Sequence, residues 1–345
     1  MPDNLIAADT DRSAALAFAA AMPKISLHCH LTGTLQPRTV AELAAKHGVP
    51  MPDGRTAENL YDHASYEDLG EFLRVLDLVG AVMLDRDDFH RTTYETLTLA
   101  ARHNVIHREL FVSPPSHPTV SYPTMIEGIT AGLRDAEADH GISCRLIFAM
   151  NRNADPAEGV ELVRQVIAHR TDDIVGIGLD YEEVTGPPER FAEAFALAKR
   201  AGLRRTAHSE SGPPRNIVTL LDVLDCERID HGYHVVTDPA LTRRCRDEGI
   251  PFTCTPVSSD IGRYSGSGDG THAVIAAMVD AGLAVTIDGD DPPMFGTDPT
   301  EDLSALVRAL GYGPEQLMRF TAAGIEAAWL DESEKQALRA RTSMF

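Results

Sequence analysis

Of the 14 histidines in this chain, four stand where they could act together. His28 and His30 are separated by one residue, His208 and His231 lie far downstream, and Asp288-Gly289-Asp290-Asp291 follows near the end. Two imidazoles at that spacing on an extended segment project to the same side, with Cys29 turned to the other. Adding His208 and one carboxylate makes a set of three nitrogens and one oxygen with room left for water. Such an open set suits a catalytic Zn2+, whereas a closed set of thiolates marks a structural ion. Each element alone has a plainer reading. His-x-His arises by chance, His231 reads as a core histidine, and Asp290-Asp291 before two prolines reads as a solvated turn. Glu210, two residues past His208, reads as a helix N-terminal carboxylate. Their placement along the chain decides between the readings.

That placement depends on the elements that carry them. Runs rich in β-forming apolar residues recur at 24–30, 105–112, 143–150, 174–181, 205–208, 228–231, 251–255 and 284–288. Segments with helical spacing lie between them, among them 37–47, 157–168, 188–201 and 271–281, and glycines at 48, 202, 249 and 282 supply stop signals. Eight strand–helix alternations predict an α/β fold, a single (β/α)8 TIM-type barrel filling 1–345 as one domain. A helical insertion at about 50–100, between strands 1 and 2, is expected to cover the barrel mouth. A short helix over 14–22, capped by Ser13, is expected at the barrel's end. In this arrangement the first strand ends in His28-Cys29-His30, the fifth in His208 and the sixth in His231, and the eighth runs into Asp288-Gly289-Asp290-Asp291. A barrel builds its active site from the C-terminal ends of its strands, so all of these converge on one mouth.

Composition narrows the partners. Lys and Arg number 31 against 52 Asp and Glu, a formal net charge of −21, which repels nucleic-acid backbones and anionic membranes but not small neutral substrates. Five cysteines without a CxxC pair argue against a disulfide framework and for a reducing, cytoplasmic setting. The apolar run 14–22 is too short to span a bilayer and lacks a basic stretch before it. The glycine-rich stretch from Gly262 to Gly270 lacks the Lys-Ser/Thr of a phosphate loop and reads as a plain loop. Phe72, Val75, Leu76 and Val79 form a helical apolar stripe of the core type, and the lone Trp329 reads as packing.

Three segments carry a family resemblance. Met22-Pro-Lys-Ile-Ser-Leu-His-Cys-His-Leu-Thr-Gly, Arg228-Ile-Asp-His-Gly-Tyr-His and Thr286-Ile-Asp-Gly-Asp-Asp-Pro resemble, in order, strands one, six and eight of adenosine deaminase-type enzymes of the amidohydrolase superfamily. The likeness runs from about residue 20 to about residue 330. It implies a zinc-dependent hydrolytic deamination of a 6-aminopurine to the 6-oxo purine and ammonia. It also implies that His28, His30, His208 and Asp290 hold one Zn2+ per chain, with other divalent ions acceptable. Glu210 is then the proton donor to the ring, His231 orients the attacking water, and Asp291 contacts the purine. The cysteine-ligated nucleobase deaminases use a different motif, absent here.

Departures from the family pattern bear on substrate. Thr32 stands where adenosine-specific members carry the Asp that contacts ribose, and Tyr181 stands where they carry a glycine whose backbone meets the ring. Both are therefore candidate substrate-binding positions. The usual HAGE is shortened to His208-Ser209-Glu210, which displaces the acid by one residue. Gly178-Leu-Asp-Tyr-Glu-Glu-Val-Thr-Gly-Pro-Pro is similar to the adenine deaminase branch, and Asp291-Pro-Pro-Met-Phe-Gly-Thr-Asp to the branch acting on aminodeoxyfutalosine. Unmodified adenosine is accordingly not expected to be strongly favoured. Two other readings stay open: a barrel metallohydrolase acting on an amide or ester, and a catalytically impaired purine-binding relative.

Overall fold

Parallel strands covered on both faces need unbroken apolar burial, and the eight runs provide it. They form β1 (Lys24–His30), β2 (Val105–Val112), β3 (Ser143–Asn151), β4 (Ile174–Asp180), β5 (Arg204–Ser209), β6 (Arg228–His231), β7 (Pro251–Cys254) and β8 (Ala284–Ile287). The structure is a computed structural model. It describes residues 2–51, 54–62, 66, 68–262 and 269–345, without the side chains of 2–10. Most of the glycine-rich stretch after Gly262, and part of the segment at 50–100, lie outside these residues.

Each strand pairs in parallel with the next in sequence order, from β1 to β8. The ring is nearly closed: Cys29 bridges Asp290, with His30 N–H donating to the Asp290 carbonyl at 3.0 Å and Asp290 N–H to that of His28 at 3.2 Å. The Asp288 carboxylate strengthens this seam. It accepts the N–H of His28 at 3.0 Å and that of Leu27, and is itself steadied by the Thr286 hydroxyl at 2.7 Å. Left-handed glycines end several of the flanking helices, among them Gly48 at φ 64° and Gly249 at φ 68°, where a Cβ would be strained.

Among the described residues between β1 and β2 are the α-helices α2 (Pro37–His47), α3 (Leu69–Gly80) and α4 (Arg86–Arg102). The first helix, α1, differs from expectation and spans Pro2–Ala21, with Ser13 inside it rather than at its cap. Its only proline is the first residue and it contains no glycine, so nothing before Ser13 stops the helix. At the barrel's N-terminal end Glu109 pairs with Arg228 at 2.7 Å, both fully buried, and also accepts the Trp329 N–H at 2.6 Å. The Arg228 guanidinium lies 4.1 Å from the Trp329 ring centre, so this tryptophan plugs the bottom of the barrel.

Candidate active site

The strand ends bring the polar residues to one point. His28 Nε2 lies 3.3 Å from His30 Nε2, which lies 3.1 Å from His208 Nε2. Asp290 Oδ1 is 3.3 Å from the first and 3.4 Å from the second. Four ligand atoms about 2.0–2.1 Å from a tetrahedral centre would be separated by about 3.3 Å. These four spacings match the edge length of a zinc-sized tetrahedron. Imidazole nitrogens so crowded cannot all be satisfied by bonding to one another, and a central cation resolves the conflict.

Electrostatics agree with this fit for His30 and His208, whereas for His28 burial is outweighed by the Asp290 hydrogen bond and the nearby carboxylates, which raise it. Burial pushes His30 down to about 4, and burial followed by the charge of His28 holds His208 and His231 well below the usual range, so their nitrogens keep free lone pairs. Burial would raise Asp290, but the hydrogen bond from His28 outweighs it and keeps the carboxylate ionised. A half-buried His–Asp–Asp group, His47, Asp85 and Asp88, is a weaker candidate, because Lys46 already reaches Asp88 at 2.7 Å and Asp85 at 2.8 Å.

The rear of the ligand set is held by residues that sequence reasoning did not single out. Asp230 sets Oδ2 3.5 Å from His208 Nδ1 and accepts from the Thr253 hydroxyl on Oδ1 at 3.1 Å. Thr253 Oγ1 in turn lies 2.9 Å from His28 Nδ1. Ser258 donates to Asp290 Oδ2 at 2.6 Å. Outer partners of this kind fix imidazole tautomers and ring orientation. One signal was present in the sequence: an aspartate beside Ile229 in a fully buried strand must find a partner.

In front of the ligand set lies a cleft. Its inner wall contains His30, His208, His231, Glu210, Glu183, Asp180, Tyr181, Asp290 and Asp291, and its outer wall Leu69, Phe72, Leu73 and Leu76 of α3 with Phe295. Part of the apolar stripe expected to be core thus faces this space. His231 Nδ1 sits 3.2 Å from Thr255 Oγ1 and 3.4 Å from Glu210 Oε1. Despite the shortened segment, Glu210 reaches the wall. Burial, then the charges of Asp290 and Glu183, push its carboxyl well above the ordinary range. Asp291 is raised too, by burial and then by Asp290, and its Oδ1 has no hydrogen-bond partner. Gly33 makes room for it, since a Cβ there would lie 1.6 Å from that oxygen.

Tyr181 lines the cleft with its backbone at φ 69°, and its hydroxyl bonds Asp77 on α3 and Ser116, each at 2.7 Å. Thr32 is not brought to the cleft wall; its hydroxyl is 3.0 Å from His117 Nε2.

Comparison with known proteins agrees with this arrangement. The family model for adenosine deaminase matches residues 23–344. An adenine deaminase of Hahella chejuensis is 35% identical over 333 residues, covering 95% of this chain and 98% of the relative. An adenine deaminase of Streptomyces coelicolor is 36% identical over 323 residues, covering 93% of each chain. Among solved structures, an adenine deaminase of Arthrobacter aurescens superposes with a TM-score of 0.89 at 32% identity, covering 94% of this chain and 99% of that one. A zinc-bound amidohydrolase of Burkhoderia ambifaria gives a TM-score of 0.87 at 34% identity, covering 94% and 90%. With a match that runs from the start of β1 almost to the last residue, the chain belongs to the adenosine deaminase family.

Proposed function

We propose that this chain hydrolytically deaminates a 6-aminopurine in the cleft, with free adenine as substrate and hypoxanthine and ammonia as products. One observation carries the reading: His30, His208 and Asp290, from a close set of three histidines and one aspartate, line the same cleft as a buried carboxyl, Glu210. His28, His30, His208 and Asp290 are the residues that would hold one zinc ion, which when bound supplies the Lewis acidity that makes water nucleophilic near neutral pH. C6 of a purine is a poor electrophile until N1 gains a proton, and Glu210, kept protonated by its surroundings, delivers it. His231, kept neutral, orients the attacking water toward C6 and takes up its proton. Asp291, also kept protonated, donates to a ring nitrogen and holds the base in register. As the C6–N bond breaks, the amine takes the proton held by His231 and departs as ammonia, while the remaining C6 hydroxyl proton returns to Glu210, leaving the 6-oxo purine and both groups as they began.

Adenine is preferred over a nucleoside for two reasons. The outer wall is built from leucine and phenylalanine side chains and offers a sugar no hydrogen bond, and the Thr32 hydroxyl is engaged by His117. The relatives named adenine deaminase point the same way. A cytoplasmic, single-domain enzyme is the setting we infer. All five cysteines are free and buried, and among the described residues no helix is long and apolar enough to cross a membrane.

The test is the ultraviolet change when zinc-loaded protein meets adenine, adenosine, deoxyadenosine, methylthioadenosine or aminodeoxyfutalosine. Adenine is expected to react fastest. Deamination of none of the five would overturn the reading.

A further inference from the structure

Glu183, on the loop after β4, is buried and its carboxylate faces the turn that carries the acid. Oε1 accepts the N–H of Glu210 at 2.9 Å, while Oε2 accepts the N–H of Ser211 at 2.9 Å and that of Gly212. Three successive amides converging on one carboxylate form a nest, a backbone shape held together by the anion inside it. The carboxylate is itself anchored. Arg152 Nη1 lies 3.4 Å from Glu183 Oε1, with the arginine side chain 1% exposed.

The same guanidinium ties together two strand ends. β4 and β5 pair only at Gly176–Arg204 and Ile177–Arg205, so beyond those residues no ladder joins them. There Arg152 donates to the carbonyls of Leu179 at 3.2 Å, Asp180 at 3.1 Å and His208 at 2.7 Å. Two glycines leave space for this unit. A Cβ on Gly186 would lie 2.5 Å from Arg152 Cγ, and one on Gly212 would lie 2.9 Å from Glu183 Oε2 and 2.2 Å from Asn216 Nδ2.

We propose that Glu183, locked by Arg152, is the positioning residue for Glu210: it fixes the turn after β5 so that the acid reaches the cleft wall although the segment is one residue short. The inference rests on the proposed deamination for its kinetic consequence, but not for its structural one. The glutamine variant replaces one oxygen by an N–H donor facing the amides it should receive, so the nest opens and Glu210 swings away from its working position. A misplacement of about 1 Å can cost about 10²-fold in rate.

The experiment compares wild type with Glu183→Gln and Glu183→Asp, using zinc-loaded enzyme. Expected for Glu183→Gln are a kcat on adenine about 10²-fold lower, a KM within about threefold and unchanged zinc content, with partial recovery of kcat in Glu183→Asp. Hydrogen–deuterium exchange of the peptide spanning 209–213 should accelerate in Glu183→Gln. Where that variant fails to fold, Gly212→Ala carries the same two readouts. An unchanged kcat and unchanged exchange would overturn the proposal, as would a loss of kcat that follows zinc loss in proportion. A wild type that protects 209–213 through Glu183 yet deaminates none of the purines would refute the proposed function and leave the positioning intact.

Discussion

Asp230→Asn puts the rear of the ligand set to a direct test. For His208 Nε2 to face a metal with its lone pair, the ring proton must sit on Nδ1, and Asp230 Oδ2, 3.5 Å away, is the negative charge that favours it there, although the two atoms are not hydrogen-bonded. The same carboxylate takes the Thr253 hydroxyl proton on its other oxygen, leaving the Thr253 oxygen to accept from His28 Nδ1 at 2.9 Å. One acid thus biases two tautomers. In the asparagine variant one oxygen becomes an NH2 group. If it faces His208, two donors meet, and the conflict is relieved by moving the ring or by shifting the proton to Nε2, where it blocks the metal. If it faces Thr253, the same conflict passes to His28. Loss of an outer partner typically weakens metal affinity or activity about 10–100-fold, about 1.4–2.7 kcal/mol, and with two ligands affected the upper end is expected. Zinc affinity measured by competition with a chromophoric chelator should therefore fall about 100-fold. Thr253→Val, which disturbs His28 alone, should cause a smaller drop. An affinity within threefold of wild type for Asp230→Asn would refute the reasoning, whatever happens to turnover.

Other outcomes follow from the same geometry. Glu210→Gln should lower kcat about 10²–10⁴-fold with zinc content unchanged, while Glu182→Gln, which bonds only its own loop, should stay near wild type; equal activity of both by steady-state assay would remove Glu210 from the mechanism. Adenosine should not exceed adenine in kcat/KM, because the cleft's outer wall lacks a sugar partner, and an adenosine preference of several orders of magnitude would contradict that account. Burial would raise Glu109, but the Arg228 charge outweighs it and brings the carboxyl to about 2. Against an unfolded value of about 4.3, this stabilises the fold above that pH by about 3 kcal/mol and is lost as pH falls toward 2, so urea titrations at pH 7 and pH 3 should differ in that sense. Glu109→Gln should lose about 3–5 kcal/mol at pH 7, since it strands a buried guanidinium, and a variant as stable as wild type by urea unfolding would refute this.

The barrel was legible because its signals are local. Apolar runs mark all eight strands, and three of them, Lys24–His30, Val105–Val112 and Arg228–His231, match the residue pattern at both ends. Four others begin where the pattern begins and differ by one residue at the far end, and β5 differs by one residue at each end. β4, for example, stops at Asp180 because Tyr181 turns to φ 69°. The candidate ligand set could be proposed from sequence because histidines at the ends of buried strands are chemically conspicuous. What stayed hidden was set by distant neighbours. The roles of Arg152 and Glu183 depend on partners 56 and 27 positions away, His208 and Glu210. The orientation of Thr32 depends on His117, 85 positions away, and no local pattern announces such a pairing.

Strand periodicity itself conceals part of the site, for a reason the backbone makes plain. Alternation sends consecutive side chains to opposite faces, so a strand end can deliver one residue to the barrel mouth and not the next. Yet here the site draws on neighbours in pairs. Asp180 and Tyr181 both line the cleft, as do Asp290 and Asp291, while His231 lines it and Asp230 stands behind His208. One member of each pair is left-handed: Tyr181 at φ 69°, Asp290 at φ 60° and His231 at φ 63°. Leaving the extended conformation at that residue breaks the alternation and lets both side chains turn inward. The conformation is unfavourable for side chains of this size, by about 1–3 kcal/mol each, and persists only where surrounding bonds enforce it. Those bonds are present: the Cys29–Asp290 bridge, the Thr255 contact to His231 and the Tyr181 hydroxyl bonds to Asp77 and Ser116. Strain at β4, β6 and β8 is thus the physical means by which a regular barrel places two functional groups where its geometry allows one.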